Sequence, residues 1–242
     1  MREMSKMKKM ESYIEIEGKI IEGAFIKRLT RFSGLIRIGN KEVQAFLPNP
    51  GRLEYILKSG AKVILKKVSK SDRKTSYDLI GIIKNGQKIS IDSRIPNKLV
   101  FKAIKNKDIK EFSEYEHVKP EYFHGGSRLD FMLEGENKKC LLEVKSCTLV
   151  KDGVAMFPDA KTERGTRHLK ELIKAKREGY RACVLFLIQR NDAEIFSPND
   201  EVDPVFGETL RKAFRQGVEV YAYKSKFLKD KILLKGKVEV KL

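Results

Sequence analysis

Apolar and polar side chains alternate along most of the first third of the chain, and this period of two predicts short β-strands. The pairs Gly39-Asn40 and Asn85-Gly86 have the composition of hairpin turns. A short helix is expected over residues 51–57, before Gly60. Many short strands in so short a segment favour a small barrel or sandwich. The predicted strands are residues 13–16, 20–29, 35–38, 43–47, 62–68, 77–84 and 88–91.

The pattern changes after Pro96, where helical periodicity begins to alternate with strand-like runs. Asn97 is expected to cap a helix that reaches Lys110, and Thr162 a second helix that ends before Gly179. A third helix is expected from Asp203-Pro204 to Gly217. The order α-β-β-β-α-β-α-β predicts a mixed α/β sheet, with strands at residues 115–122, 128–133, 139–148, 182–188 and 218–223 and a terminal hairpin at 231–241. We therefore divide the chain into residues 1–96, an oligonucleotide-binding-like (OB-like) β-barrel, and residues 97–242, an α/β domain packed against it.

The charge balance favours a polyanionic partner. The chain has 51 basic and 33 acidic residues, a formal net charge of +18. Residues 1–96 hold 21 basic and 10 acidic residues, so they contribute +11, and residues 97–242 contribute +7. Nucleic acid is the simplest partner for such a surface, and a small barrel of high positive charge suits an OB fold. A solvated, lysine-rich surface of the kind found in thermophilic proteins is the alternative.

Hydropathy and cysteine content point to a cytoplasmic protein with no membrane partner. The longest uncharged apolar run, residues 182–189, is far shorter than the ~20 residues that cross a bilayer. No apolar segment follows the basic residues 1–10, so we expect neither a signal peptide nor an anchor. Cys140, Cys147 and Cys183 have no metal-binding spacing and are expected to be free thiols.

An Asp followed by Glu-x-Lys on the next strand is the candidate for chemistry. The order α-β-β-β-α-β is that of the restriction-endonuclease-like fold, in which such residues meet. Glu143 and Lys145 share one face of their strand, and hairpin pairing can bring Asp130 beside them. Two carboxylates can hold Mg²⁺ or Mn²⁺, and Lys145 can orient a water or offset transition-state charge. The alternative is a structural ion pair between Glu143 and Lys145 with no metal.

The helix after this strand begins with a basic cluster. Arg164, Arg167, His168 and Glu171 are spaced to lie on one helical face, opposite the apolar positions. Cations at a helix N-terminus attract phosphate, so we expect these basic residues to contact DNA. A solvated basic face is the alternative, and a general-base role for His168 is less favoured than a phosphate or structural contact.

The chain resembles the sugar fermentation stimulation protein family (SfsA). The motifs that show this occur in order and are LPNPGRLEYIL, GAKVIL, IPNKLV, GGSRLDFML, LLEVKSCTLV and FPDAKTERGTRHLKELI. The resemblance implies an N-terminal OB-like barrel packed on a nuclease-like domain of the PD-(D/E)xK type, with DNA binding of little sequence preference. It also implies a regulatory role in sugar (maltose) metabolism, for which the residues themselves give no sign.

Matched motif by motif, the resemblance assigns Asp130, Glu143 and Lys145 to a nuclease-type site. It assigns Asn49, Gly51 and Arg52 to a DNA-contacting turn, although this chain has Asn-Pro-Gly-Arg where Asn-Thr-Gly-Arg is expected. Arg128, within GGSRLDFML, joins the candidates for DNA contact. Nuclease folds usually add an acidic residue from the first helix, and Glu111 is the candidate metal ligand, although it lies at the helix end.

Two functions therefore compete. One is a DNA-binding protein with a divalent-metal-dependent nuclease site, and the other is a non-catalytic DNA-binding regulator that retains a nuclease fold. Intact carboxylates at residues 130 and 143 favour chemistry, since a pure binder gains nothing from anions near phosphate. A sugar-binding sensor has little support, because the chain has no Trp. The oligomeric state is not encoded in any motif, and a homodimer remains one alternative.

Overall fold

Two β-sheets form the framework of the protein. The computed structural model describes residues 11–69 and 74–242. The basic segment 1–10, considered above as a targeting signal, lies outside the described residues. The smaller sheet has six strands and the larger has ten. No helix in the described ranges is long and apolar enough to cross a membrane.

The smaller sheet closes into a barrel. Its order is β4-β3-β2-β5-β6-β7, and Phe46 of β4 pairs with Asp78 of β6, so that five strands close on themselves and β7 extends β6 as a hairpin. The alternating apolar side chains that predicted these strands fill the interior, where Ile36, Leu65 and Leu79 are fully buried. The first strand and those of the barrel are β1 (Tyr13–Glu15), β2 (Ile20–Thr30), β3 (Ser33–Ile38), β4 (Lys41–Phe46), β5 (Lys62–Lys67), β6 (Tyr77–Lys84) and β7 (Gln87–Ser90).

The larger sheet is mixed and has helices on both faces. Its order is β11-β12-β14-β16-β15-β13-β10-β9-β8, and β1 pairs with β16. Strand β10 runs antiparallel to β9 and parallel to β13. The elements are α1 (Ile95–Lys105), a 3₁₀ turn (Lys110–Phe112), β8 (His117–His124), β9 (Ser127–Glu134), β10 (Lys139–Cys147), β11 (Leu149–Lys151), β12 (Val154–Phe157), α2 (Glu163–Arg177), β13 (Arg181–Ile188), β14 (Ile195–Pro198), α3 (Pro204–Arg215), β15 (Glu219–Phe227) and β16 (Lys231–Val240).

Alternation along β10 and β13 distributes apolar side chains to both faces of this sheet. Leu142 and Leu185 pack with α1 on one face, whereas Leu141 and Val184 pack with α2 and α3 on the other. The barrel rests against the same sheet, since the backbone NH of Ser90 donates to the Gln189 carbonyl at 3.1 Å. The predicted fold, an OB-like barrel packed on a mixed α/β domain, is confirmed.

Several local predictions were wrong. Helix α1 begins at Ile95 and ends at Lys105, so Asn97 lies inside it and does not cap it. Residues 51–57 form turns instead of a helix, with Leu53 at φ 56°. The expected hairpin at 231–241 is the single strand β16, paired with β15. Strand β1, placed with the barrel in the sequence analysis, pairs with β16 of the larger sheet, and β11, β12 and β14 were not predicted.

Candidate functional site

The site forms where β9 and β10 stop pairing. The antiparallel ladder between them ends at Phe131 and Leu142, so that the next positions, Asp130 and Glu143, lie where the strands diverge. There the Asp130 carboxylate replaces a backbone partner, because its Oδ2 accepts a hydrogen bond from the Val144 NH at 2.8 Å. The predicted juxtaposition of Asp130 with the Glu143 strand is therefore present.

Asn97 fixes the other oxygen of the Asp130 carboxylate. Its Nδ2 donates to Asp130 Oδ1 at 2.6 Å, so α1 contributes a side chain directly to the site. The sequence analysis missed this role because an Asn after a proline has the local signature of a helix cap. The residue of the first helix that contacts the carboxylate site is thus an amide.

Glu143 is held on one oxygen only. Its Oε1 accepts from Lys145 Nζ at 2.6 Å and contacts His168 Nδ1 at 2.5 Å. Its Oε2 is buried and has no hydrogen-bond partner among the described residues. Because a buried unpaired carboxylate oxygen is costly, this atom is the one in the site best suited to accept a ligand.

The two carboxylates have opposite protonation tendencies. Burial, followed by the negative charge of Glu143, raises the pKa of Asp130 to about 6. Burial would also raise the pKa of Glu143, but the charge of Lys145 and the contact with His168 outweigh it and hold that pKa below its ordinary value. At neutral pH both carboxylates are therefore mostly ionised, and two neighbouring negative charges favour a bound cation.

Helix α2 supplies His168 to the site and exposes two arginines beside it. Thr162 caps the helix as predicted, since its Oγ1 accepts from the Gly165 NH at 3.1 Å. His168 is 3% exposed and faces Glu143. The polar face predicted for this helix therefore has a buried imidazole and, beside it, the exposed guanidinium groups of Arg164 and Arg167. Arg164 Nε contacts His168 Nε2 at 3.4 Å. Arg167 is exposed and forms no ion pair within residues 11–69 and 74–242.

The barrel turn of residues 49–52 is organised by groups that face inward. Asn49 is 8% exposed. Its Nδ2 donates to the Ile91 carbonyl and its Oδ1 accepts from the Gly51 NH, each at 2.8 Å. A Cβ at Gly51 would lie 2.9 Å from that same Oδ1, which requires glycine there. Asn49 and Gly51 therefore shape the turn, and Arg52 is the member exposed to solvent.

Arg28, which the sequence analysis missed, holds the same turn from β2. Its Nη1 donates to the carbonyls of Gly51 and Arg52 at 2.6 and 2.9 Å. Its Nη2 donates to the carbonyls of Asn49 and Arg31 at 2.9 and 2.7 Å. One guanidinium group thus satisfies carbonyls that a turn without secondary structure would leave unpaired.

The barrel turn and the loop before α2 border a common groove. The groove has a volume of about 620 Å³ and is lined by Arg52 and Tyr55 from the barrel and by Asp159 and Lys161 from the loop before α2. The Tyr55 hydroxyl forms a hydrogen bond with the Thr148 hydroxyl just after β10. The groove therefore joins the barrel to the end of β10, and its lining carries the charges of Arg52 and Lys161 together with those of Glu54 and Asp159.

One predicted residue, Glu111, lies outside this site. Glu111 accepts hydrogen bonds from Tyr223 of β15 at 2.5 Å and Lys237 of β16 at 2.7 Å. Those strands are separated from β9 by β13 and β10, so its assignment as a metal ligand is corrected. Because α1 ends at Lys105, the following chain places Glu111 over the other half of the sheet. Arg128 is exposed and lies 3.4 Å from Glu121 in a surface ion pair.

The donor set for a metal is correspondingly small. Among residues 11–69 and 74–242, no cluster of three or more His, Cys, Asp or Glu side chains is arranged to hold a metal ion. Asp130 and Glu143 are thus the two carboxylates of the site, and a hard cation there would complete its shell with water or substrate oxygens.

Comparisons with known proteins agree with this architecture. Residues 26–91 match the SfsA N-terminal OB domain, and residues 94–231 match the sugar fermentation stimulation protein RE domain. Together, barrel and splayed-strand site define a two-domain protein that joins an OB barrel to a restriction-endonuclease-like domain. The chain belongs to the sugar fermentation stimulation protein family, as the motifs suggested.

Curated relatives and a solved structure cover nearly the whole chain. A sugar fermentation stimulation protein homolog of Caldanaerobacter subterraneus subsp. tengcongensis is 49% identical over 94% of this chain and 99% of its own length. One from Thermoanaerobacter sp. (strain X514) is 46% identical, with the same coverage. The structure of Pyrococcus furiosus SfsA in complex with Ca²⁺ has a TM-score of 0.89 and 32% identity, and it covers 96% of this chain and 100% of that one.

Proposed function

We propose that this protein binds DNA with little sequence preference and hydrolyses phosphodiester bonds with a divalent cation held by Asp130 and Glu143. The observation that supports this most directly is Glu143 Oε2, a buried carboxylate oxygen without a partner in the described chain, beside a second carboxylate of raised pKa. A protein that used these groups only for stability would pair them.

The residues fit Mg²⁺ or Mn²⁺. Both metals prefer oxygen ligands, and Mg²⁺ commonly binds through one or two carboxylates and keeps several waters. Glu143 Oε2 is free to coordinate within the described site, and Asp130 is the adjacent carboxylate. The structure of the related Pyrococcus furiosus protein is a complex with Ca²⁺, a cation that also prefers oxygen ligands. Such a cation polarises a phosphodiester and lowers the pKa of bound water.

Side chains of the protein account for the rest of the proposed chemistry. Asn97 and the Val144 NH hold both oxygens of Asp130 in place, and His168 fixes Glu143. Lys145, 2.6 Å from Glu143, is the ammonium group that can offset negative charge on the phosphate as water attacks phosphorus and the ester bond breaks.

DNA binding is supported by the distribution of unpaired cations. The net charge is +18. Arg52 and Arg167 are exposed, and neither has an ion-pair partner in the part of the chain that the structure describes. Arg52 lines the groove, and Arg167 directly precedes His168 of the carboxylate site, so a phosphate backbone bound there would neutralise them and release counterions. A role in sugar metabolism, which the family name suggests, would then act through DNA and require no sugar site.

The test is a cleavage assay with single-stranded, duplex and branched DNA in Mg²⁺, Mn²⁺ or EDTA. The wild-type protein should cleave at least one substrate with metal and none in EDTA, and Asp130→Ala should abolish cleavage. Asp230→Ala, which removes an exposed carboxylate from the turn before β16, is the matched control and should retain full activity. Salt-dependent DNA binding without cleavage under any condition would favour the non-catalytic regulator instead.

A further inference from the structure

We infer that the cavity between α1 and the β8–β9 hairpin binds an unpaired nucleobase of the DNA strand whose phosphate reaches Asp130. This inference rests on the proposed function and names its substrate class: DNA with a single-stranded, frayed or branched region. The cavity has a volume of about 670 Å³, within the usual range of roughly 300–1,000 Å³ for sites that enclose a small ligand.

The cavity offers an aromatic wall. Phe101 of α1 is half-buried and stacks against Phe131 of β9, with ring centroids 6.1 Å apart and planes inclined by 30°. Ile14 and Pro120 complete the apolar lining. Phe131 is 3% exposed and belongs to the core, so Phe101 is the ring that presents surface to a ligand. A nucleobase stacks on such a face whatever its identity, because every base has a π-face.

Charged side chains surround this apolar surface: three lysines of α1 and, from β8, Glu121, which pairs with Arg128 at 3.4 Å. Lys98, Lys102 and Lys105 line the cavity and are spaced i, i+4, i+7, so they project from one side of α1. Lys98 and Lys105 form no ion pair within the described ranges, and Lys102 lies 4.5 Å from the centroid of the Tyr13 ring. An apolar ligand alone would not need this charge, whereas a nucleotide combines a flat base with a phosphate on each side.

Asp130 connects the cavity to the proposed site of chemistry. It lines the cavity, and its carboxylate is the group that Asn97 and the Val144 NH hold in place. A nucleotide whose phosphate lies at that carboxylate therefore has its base within reach of Phe101. In an intact duplex the base is paired and stacked, so occupancy requires a base that is already unpaired or is flipped out.

The experiment measures fluorescence anisotropy of labelled 12-nucleotide oligothymidylate and of an abasic 12-mer with the same phosphates. Wild-type protein should bind the thymidine oligomer about tenfold more tightly, because stacking strengthens binding while the charge stays equal. Phe101→Leu, which keeps apolar volume but removes the ring, should reduce this ratio to near one. Phe101→Tyr, which keeps an aromatic ring, should keep the wild-type ratio. Phe214→Leu, at an exposed phenylalanine of α3 that is 56% accessible, is the matched control and should leave it unchanged.

Lys102→Gln separates charge from stacking. It should weaken both oligomers equally and lower the slope of log affinity against log salt by about 0.7. An unchanged ratio in a folded Phe101→Leu protein, or equal binding of both oligomers by wild type, would overturn the base site while leaving DNA binding intact. If Phe101→Leu does not fold, a ratio of about one in Phe101→Tyr would overturn the base site. Failure of wild type to bind either oligomer would overturn this inference, and the proposed function would fall with it only if duplex and branched DNA also failed to bind.

Discussion

Asp130 Oδ2 accepts the backbone NH of Val144 at 2.8 Å, just beyond the last paired residues of β9 and β10. A side chain thus continues a hydrogen-bonded ladder that the backbone has left. The consequence is that the carboxylate cannot turn away to solvent without breaking a strand contact, so it stays partly desolvated beside Glu143. That desolvation raises the pKa of Asp130 to about 6.

Asp130→Asn should stabilise the metal-free protein at neutral pH. The folded-state pKa lies above the ordinary value of 3.8, so the folded protein binds this proton more tightly than the unfolded chain does. Protonation of Asp130 therefore adds to the free energy of unfolding. This stabilisation is fully present below about pH 4 and is lost as the pH rises through about 6. A shift of this size corresponds to roughly 3 kcal/mol, so a gain of about 1–3 kcal/mol for the variant at pH 7.5 is expected.

Urea unfolding of both proteins in EDTA, from pH 4 to pH 8, measures this difference. The stability advantage of Asp130→Asn should grow between about pH 4 and 6 and then remain constant. Added Mn²⁺ should stabilise wild type, in proportion to RT ln(1 + [L]/Kd), more than the variant. A variant that is less stable than wild type at every pH would contradict the prediction, because the hydrogen bonds that Asp130 accepts would then outweigh the cost of its buried charge.

The site residues that could be predicted from the sequence are those marked by a local pattern, such as alternating apolar positions or a helix cap. Strand β10 was predicted from an apolar run whose alternate positions place Glu143 and Lys145 together, and Thr162 was identified from its capping position. Asn97 and Glu111 were misassigned because their partners are distant in sequence. The burial of Ile95 sets where α1 begins, and the burial of Ile109 and Phe112 directs the following chain across the sheet. No periodicity encodes those contacts.

Arg28 was missed for the same reason, since its carbonyl acceptors lie up to 24 residues away. A lone arginine on a barrel strand looks like surface charge until the turn it holds is folded beside it. The barrel domain and the turn of Asn49, Gly51 and Arg52 could therefore be predicted from the sequence. The guanidinium group of Arg28, which gives the turn its shape, could not.

Asn97→Asp should increase metal affinity and lower the stability of the metal-free protein. The variant places a carboxylate where an amide now donates to Asp130 at 2.6 Å, so like charges meet without metal. Since the number of charged ligands tunes cation affinity, Mn²⁺ should bind about tenfold more tightly. Calorimetric titration measures the affinity, and thermal unfolding in EDTA measures the destabilisation. Asn106→Asp, at the C-cap of the same helix, is the control and should leave Mn²⁺ affinity unchanged.

Arg28→Met should destabilise the barrel and weaken DNA binding through the turn it holds. The substitution removes hydrogen bonds to four carbonyls outside its own strand, and hydrogen bonds from charged groups contribute about 1.5–3 kcal/mol where they are well formed. Because water can reach part of this turn, we expect a loss of about 2–4 kcal/mol in urea unfolding. Arg37→Met, which breaks an exposed ion pair with Glu42, should cost less than about 1 kcal/mol. Equal losses in the two variants would contradict the role assigned to Arg28.

Arg167→Ala should weaken DNA binding without changing stability. Arg167 is exposed on α2 one residue before His168, and it has no ion-pair partner in the described chain that would stabilise the fold. Removing one phosphate contact should lower the slope of log affinity against log salt by about 0.9 for duplex DNA, with the same effect on unrelated sequences. Arg215→Ala removes an equally exposed arginine from the end of α3, away from the carboxylate strand, and should leave the slope unchanged. Anisotropy titrations between 50 and 200 mM salt, with melting temperatures as a folding control, compare the two. If both variants reduced the slope alike, the attraction would come from net charge spread over the whole surface, and α2 would have no special part in binding DNA.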